Sequence, residues 1–171
     1  MSIWNDNNIV LIGMPASGKS TVGVILAKIL GKDFIDTDIE IQKREGIRLS
    51  RIIEERGIDE FLKCEEQALL SINAKNTVIS TGGSAVYSKA AMEYLSGSST
   101  IVYLHVAKEE LKRRLKDIKE RGIVLRSGES IDDMYDFRSV LYTEYADITV
   151  YEEDFSIEDT IQAVVRELKE R

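Results

Sequence analysis

Gly13-Met-Pro-Ala-Ser-Gly18-Lys19-Ser20 is a complete G-x-x-x-x-G-K-[ST] phosphate loop, and the rest of the chain can be read outward from it. The loop follows the short apolar run Asn8 to Ile12 and opens an amphipathic stretch, Thr21 to Leu30, with Gly31 as its stop. A strand that turns through glycines into a helix aims backbone N–H groups and the positive helix end at phosphate oxygens. Gly13 and Gly18 allow the tight curve, Lys19 supplies positive charge to the β- and γ-phosphates, and Ser20 is the expected magnesium ligand. Ala16, Ser17 and Thr21 complete the candidate ATP contacts within this segment.

Length and composition agree with a small-molecule enzyme. A chain of 171 residues with 43% hydrophobic and 31% charged residues fits one domain that buries roughly two-thirds of its unfolded surface. The segment Met1 to Asn8 lacks a basic region, and Ile9 to Ile12 is too short for a signal peptide or membrane span, so the expectation is a cytoplasmic protein with no membrane partner; a monomer is the expected state. A net charge of −7 argues against nucleic acid as the main partner. The single cysteine, Cys64, reads as a reduced packing residue, and the single histidine, His105, as the end of a strand.

Strand-like runs recur at Asp33 to Asp36, Thr77 to Thr81, Thr100 to Val106 and Asp147 to Tyr151, separated by helical stretches. In the first helix Val22, Ile25, Leu26, Ile29 and Leu30 are read as the buried face. Glu109 to Glu120 reads as a helix, and Ser156 caps a last one with the stripe Ile157, Ile161, Val164, Val165 and Leu168. Strands alternating with helices imply an α/β fold with a parallel sheet covered on both faces. Two insertions are irregular: residues 39–74 are the expected substrate-binding region and residues 117–135 the expected lid.

The second constellation is Phe34-Ile-Asp36-Thr-Asp38, at the end of the second strand. If the chain stays extended, residues two apart face one side and both carboxylates point at the bound phosphates. Asp36 is assigned to the magnesium shell and Asp38 to the acceptor hydroxyl, which it orients and deprotonates during phosphoryl transfer.

With these motifs the chain resembles the shikimate kinases, within the nucleoside monophosphate kinase-like group. The resemblance extends through Gly57-Ile-Asp-Glu-Phe61, Ser80-Thr-Gly82-Gly83-Ser84, the pair Arg114 and Arg121, Arg138-Ser-Val-Leu-Tyr142 and Tyr145-Ala-Asp147. It implies a three-layer P-loop kinase fold with a five-stranded parallel sheet in the order 2-3-1-4-5, a helical substrate-binding region and a lid. It also implies that Arg114 lies along the adenine and that Arg121 reaches the transferring phosphate from the lid. Arg138 is implied to hold the acceptor, with Phe61, Gly82, Gly83 and Ser84 lining its site.

Three departures concern the acceptor side. Leu62 follows Phe61 where the family carries an arginine that grips the shikimate carboxylate. The glycine triplet ends in Ser84, and Gly122-Ile-Val-Leu-Arg126 replaces the usual proline and leucines, adding Arg126 as a second basic residue. A lost charge-assisted hydrogen bond weakens carboxylate binding by roughly ten- to a hundredfold. The expected activity is therefore transfer from Mg-ATP to a hydroxyl of shikimate, with another hydroxy acid or polyol as the alternative acceptor. A nucleotide-binding switch without catalysis is the reading from another class, and it predicts loss of groups that are present here.

Overall fold

The computed structural model describes residues 7–116, 123–152 and 156–171. Five strands, β1 (Asn8–Ile12), β2 (Asp33–Asp36), β3 (Thr77–Ser80), β4 (Ser99–His105) and β5 (Ile148–Tyr151), form one parallel sheet in the order β2-β3-β1-β4-β5. The expected sheet order is thus the one observed. The helices are α1 (Lys19–Leu30), α2 (Thr37–Glu45), α3 (Leu49–Arg56), α4 (Ile58–Leu70), α5 (Lys89–Ser96), α6 (Lys108–Lys116), α7 (Ile131–Tyr145) and α8 (Ile157–Glu170). None of these is long and apolar enough to cross a membrane.

Burial follows the pleat of the sheet. In β1, Ile9 and Leu11 face a core built with α1 and α8, whereas Val10 and Ile12 face the opposite core with α4, α5 and α7. Both faces are covered, which is why the central strands read as continuous apolar runs rather than as alternation. Asn8 fixes the start of the sheet: its amide donates to Ala74 O at 2.7 Å and its Oδ1 accepts Thr77 N–H at 3.0 Å. A third, smaller cluster joins Ile41, Ile52, Phe61, Cys64, Ala68 and Val124, so residues 39–74 fold into helices that pack around their own core. Cys64 is free and buried there, and His105 ends β4.

Three local expectations need correction. The inward face of α1 is Val22, Gly23, Leu26, Ala27 and Leu30, while Ile25 and Ile29 are 37% and 50% exposed. Ile29 borders an open groove beside Ile161 and Val165 of α8 and so is only partly covered by that helix. Ile157 is likewise exposed, because it occupies the first turn of α8. Asp38 does not lie on a strand. Asp36 ends β2 and caps α2, its Oδ1 accepting Asp38 N–H at 3.0 Å, so the chain turns into a helix before Asp38.

Candidate active site

Parallel strands collect their carboxyl ends along one edge of the sheet, where α/β proteins bind ligands. The segments after β1, β2 and β3 meet there around a cleft of about 570 Å³. Its walls include Gly18, Lys19, Ser20 and Thr21 on one side and Asp38, Phe61, Gly82, Gly83, Ser84 and Arg138 on the other.

In the phosphate loop, Ala16 (φ 61°) and Gly18 (φ 84°) are left-handed, which turns successive amides inward. No side chain caps α1 at Gly18, so the first-turn amides are available to an anion. Gly13 does not line the cleft. A Cβ there would lie 2.7 Å from Leu104 O, so this glycine lets β1 leave the sheet against β4. Ser17 is buried beneath the loop and accepts a hydrogen bond from Lys19 Nζ at 3.2 Å. Lys19 Nζ also donates to Gly13 O at 2.9 Å and Met14 O at 2.7 Å. Burial lowers its pKa to about 8, against the opposing pull of Asp38.

Ser20 Oγ donates to Asp36 Oδ2 at 2.6 Å, so the two candidate metal ligands stand side by side. Asp36 therefore uses one oxygen to start α2 and the other to meet the phosphate loop. The turn carries Asp38 away from the strand but keeps it in the cleft.

The glycine pair packs closely against charged groups. A Cβ at Gly82 would lie 2.6 Å from Glu65 Oε1 and 2.9 Å from Asp38 Oδ1, and one at Gly83 would lie 3.1 Å from an Arg138 terminal nitrogen. Gly82 N–H donates to Thr37 Oγ1 at 3.2 Å, and Tyr142 Oη donates to Gly83 O at 2.6 Å. Arg138 is 1% exposed. Its Nε donates to Tyr87 Oη at 2.8 Å and one terminal nitrogen to Val124 O at 2.5 Å, which leaves the nitrogen beside Gly83 facing the cleft.

Arg114 is outside the cleft lining. It donates to Glu110 at 2.7 Å, to Ala16 O at 3.2 Å and to Glu152 at 3.3 Å, bracing the phosphate loop from α6. Arg121 lies outside the described residues, as does the segment 117–122 of the expected lid. The described part of that range includes Ile123 and Val124, which line the cleft.

Sequence reasoning missed Glu65. This residue is 2% exposed and accepts Ser84 Oγ–H at 2.6 Å through Oε2, whereas Oε1 has no hydrogen-bond partner among the described residues. Burial pushes its carboxyl up to about 7, offset in part by the Ser84 hydrogen bond. One signal was present: Phe61, Cys64, Glu65, Ala68 and Leu69 make the buried stripe of α4, and Glu65 is its one charged member.

The chain is similar to known proteins in both sequence and fold. The shikimate kinase family pattern matches residues 15–169. The chain is 39% identical over 145 residues to a shikimate kinase from Histophilus somni, covering 82% of this chain and 83% of that one. It is 38% identical over 143 residues to the shikimate kinase of Aquifex aeolicus, covering 83% and 84%. Shikimate kinase from Acinetobacter baumannii, solved in complex with shikimate, superposes with a TM-score of 0.85 at 29% identity, over 98% of this chain and 96% of that one. With the phosphate loop, the parallel sheet and these relatives in agreement, the chain belongs to the shikimate kinase family and is an ATP-dependent phosphotransferase whose acceptor is a hydroxyl group.

Proposed function

We propose that the chain transfers the γ-phosphoryl group of Mg-ATP to a hydroxyl group of shikimate. The observation that carries this reading is the shared cleft: the loop that would hold ATP and the Asp38, Gly82, Gly83 and Arg138 surface that would hold the acceptor line one space. The Acinetobacter baumannii relative binds shikimate, which supports that acceptor here.

In this reading Gly18, Ser20, Thr21 and the neighbouring amides of Ala16 and Ser17 cradle the phosphates. Lys19 exchanges the carbonyls of Gly13 and Met14 for phosphate oxygens. Ser20 and Asp36 offer adjacent hard oxygens at the cleft wall, a donor set that suits Mg²⁺ completed by water and phosphate. Bound there, the ion would neutralise charge on the transferring and leaving phosphates. Asp38 accepts the hydroxyl proton as the new O–P bond forms and the bond to the β–γ bridging oxygen breaks, leaving ADP. The electrostatic support that Asp38 gives the Lys19 charge is in keeping with an acceptor end next to the phosphate end. Arg138 and the glycine pair orient the acceptor, Phe61 packs against it, and Ser84 borders it through its bond to Glu65. Arg121, between α6 and α7 in the chain, is assigned to the transferring phosphate, and Arg114 to the nucleotide side. The composition and the one free, buried cysteine favour a reducing cytoplasm, and we assign the protein there as a monomer.

Coupled ADP release with Mg-ATP and shikimate tests this reading, with quinate and gluconate as alternative acceptors. Turnover should be strongest with shikimate and should fall by roughly 10²- to 10⁴-fold in Asp38→Asn, with little change in ATP affinity. Full turnover in that variant would remove Asp38 from the proton-transfer role.

A further inference from the structure

A second cavity, about 210 Å³, shares Glu65 and Ser84 with the main cleft. Leu62, Tyr87 and Arg126 form much of its remaining wall. The Arg126 guanidinium stands 5.3 Å from the centroid of the Tyr87 ring, and the Arg138 guanidinium stands 4.9 Å from that same centroid. One tyrosine therefore ties the buried cation of the main cleft to an exposed cation of the side cavity.

The two arginines differ in what they have left to give. Arg138 gives two of its three nitrogens to Tyr87 and Val124 and also interacts with Tyr142, with its third nitrogen beside Gly83 at the cleft. Arg126 makes no side-chain ion pair or hydrogen bond among the described residues; its backbone N–H donates to Glu129. Its planar fork is thus available for a carboxylate. At position 62 the wall is a leucine packed against the third core cluster; of the charged neighbours on α4 that also line the cavity, Lys63 pairs with Glu60 and Glu66 accepts the Ser88 hydroxyl, so Arg126 is the cation left to an acceptor.

We propose that Arg126 binds the carboxylate of the acceptor, which reaches past Ser84 and Glu65 into the side cavity while Arg138 holds the ring from the main cleft. This inference rests on the reading of the protein as a kinase of a carboxylated acceptor. Glu65 suits such a neighbour: with its carboxyl protonated, the free oxygen donates to an anion instead of repelling it. Arg126 is then a specificity-determining residue that supplies, from the segment before α7, the cation that Leu62 does not.

The test is steady-state kinetics of the whole protein and Arg126→Ala with two acceptors, shikimate and its methyl ester. The variant should raise the KM for shikimate by roughly ten- to a hundredfold, keep kcat within a few-fold and leave the KM for ATP unchanged. Arg126→Lys, which keeps the charge but not the fork, should fall between. The ester lacks the carboxylate, so parent and Arg126→Ala should use it with the same KM. Three results would overturn the inference while leaving the kinase reading in place: an unchanged KM for shikimate, an equal penalty on the ester, or a matching rise in the KM for ATP. If the parent protein phosphorylates no shikimate, the kinase reading for that acceptor fails and this inference fails with it. Arg126 is exposed, so thermal unfolding of the variant should match the parent.

Discussion

Replacing Glu65 by glutamine should change how the stability of this protein depends on pH. The carboxyl sits in the cleft wall, fully buried, with Ser84 on one oxygen and no hydrogen-bond partner among the described residues on the other. Its pKa rises from 4.5 to about 7 on folding, so between those values the folded protein holds a proton that the unfolded chain has released. Stability from this group is therefore complete below pH 4.5 and is lost as pH rises through about 7. A displacement of this size corresponds to about 3 kcal/mol, a large part of the stability of a small domain. Glutamine has the same shape, can still accept the Ser84 hydroxyl and never ionises. The difference in unfolding free energy between Glu65→Gln and the parent should thus grow in favour of the variant by about 3 kcal/mol from pH 4.5 to pH 8. Urea unfolding at intervals across that range measures the difference directly, and groups common to both proteins cancel. Two parallel stability curves would refute the reasoning, because they would mean that Glu65 ionises in the folded state as readily as in the unfolded chain.

Other consequences follow from the same geometry. The Lys19 ammonium loses its proton as pH rises through about 8, and polyphosphate binding needs the cation; ATP affinity measured by calorimetry should weaken from pH 7 to pH 9, and a flat profile would contradict the burial argument. Gly83→Ala would set a Cβ 2.8 Å from the Pro15 ring and 3.1 Å from Arg138, so it should raise the KM for the acceptor and lower stability by about 1 to 3 kcal/mol, read from kinetics and urea unfolding. Asn8→Ala removes the two hydrogen bonds that hold the start of β1 to the chain entering β3, and should cost about 1 to 3 kcal/mol in unfolding free energy without changing kcat.

The sequence shows most clearly what is local. The phosphate loop is legible because eight adjacent residues determine its turn, its amides and the helix that follows. The parallel sheet is legible because short strand-like runs alternate with helical stretches along the chain. Asp38 was misplaced because the decisive contact is the Asp36 side chain capping the next helix, and an acidic residue at a strand end can also continue the strand. Glu65 was overlooked for a related reason: a carboxylate within an apolar helical stripe gains its meaning only when Ser84 and Gly82 come to it from β3. Residues 117–135 read as an irregular lid, yet Ser130 and Asp133 form a reciprocal capping box that starts α7 and carries Arg138 into the cleft. Ile25 and Ile29 show the limit of periodicity, since an apolar stripe marks a face and the neighbouring helix decides how much of that face is covered.

In the proposed reaction this cleft joins the phosphate of ATP to shikimate. Incubation of the purified protein with Mg-ATP and shikimate, followed by mass spectrometry and phosphorus NMR, tests it most directly. Stoichiometric ADP and a new phosphate monoester of shikimate should form, with neither produced by Asp38→Asn on the same time scale. Release of inorganic phosphate alone, with shikimate recovered unchanged, would contradict it.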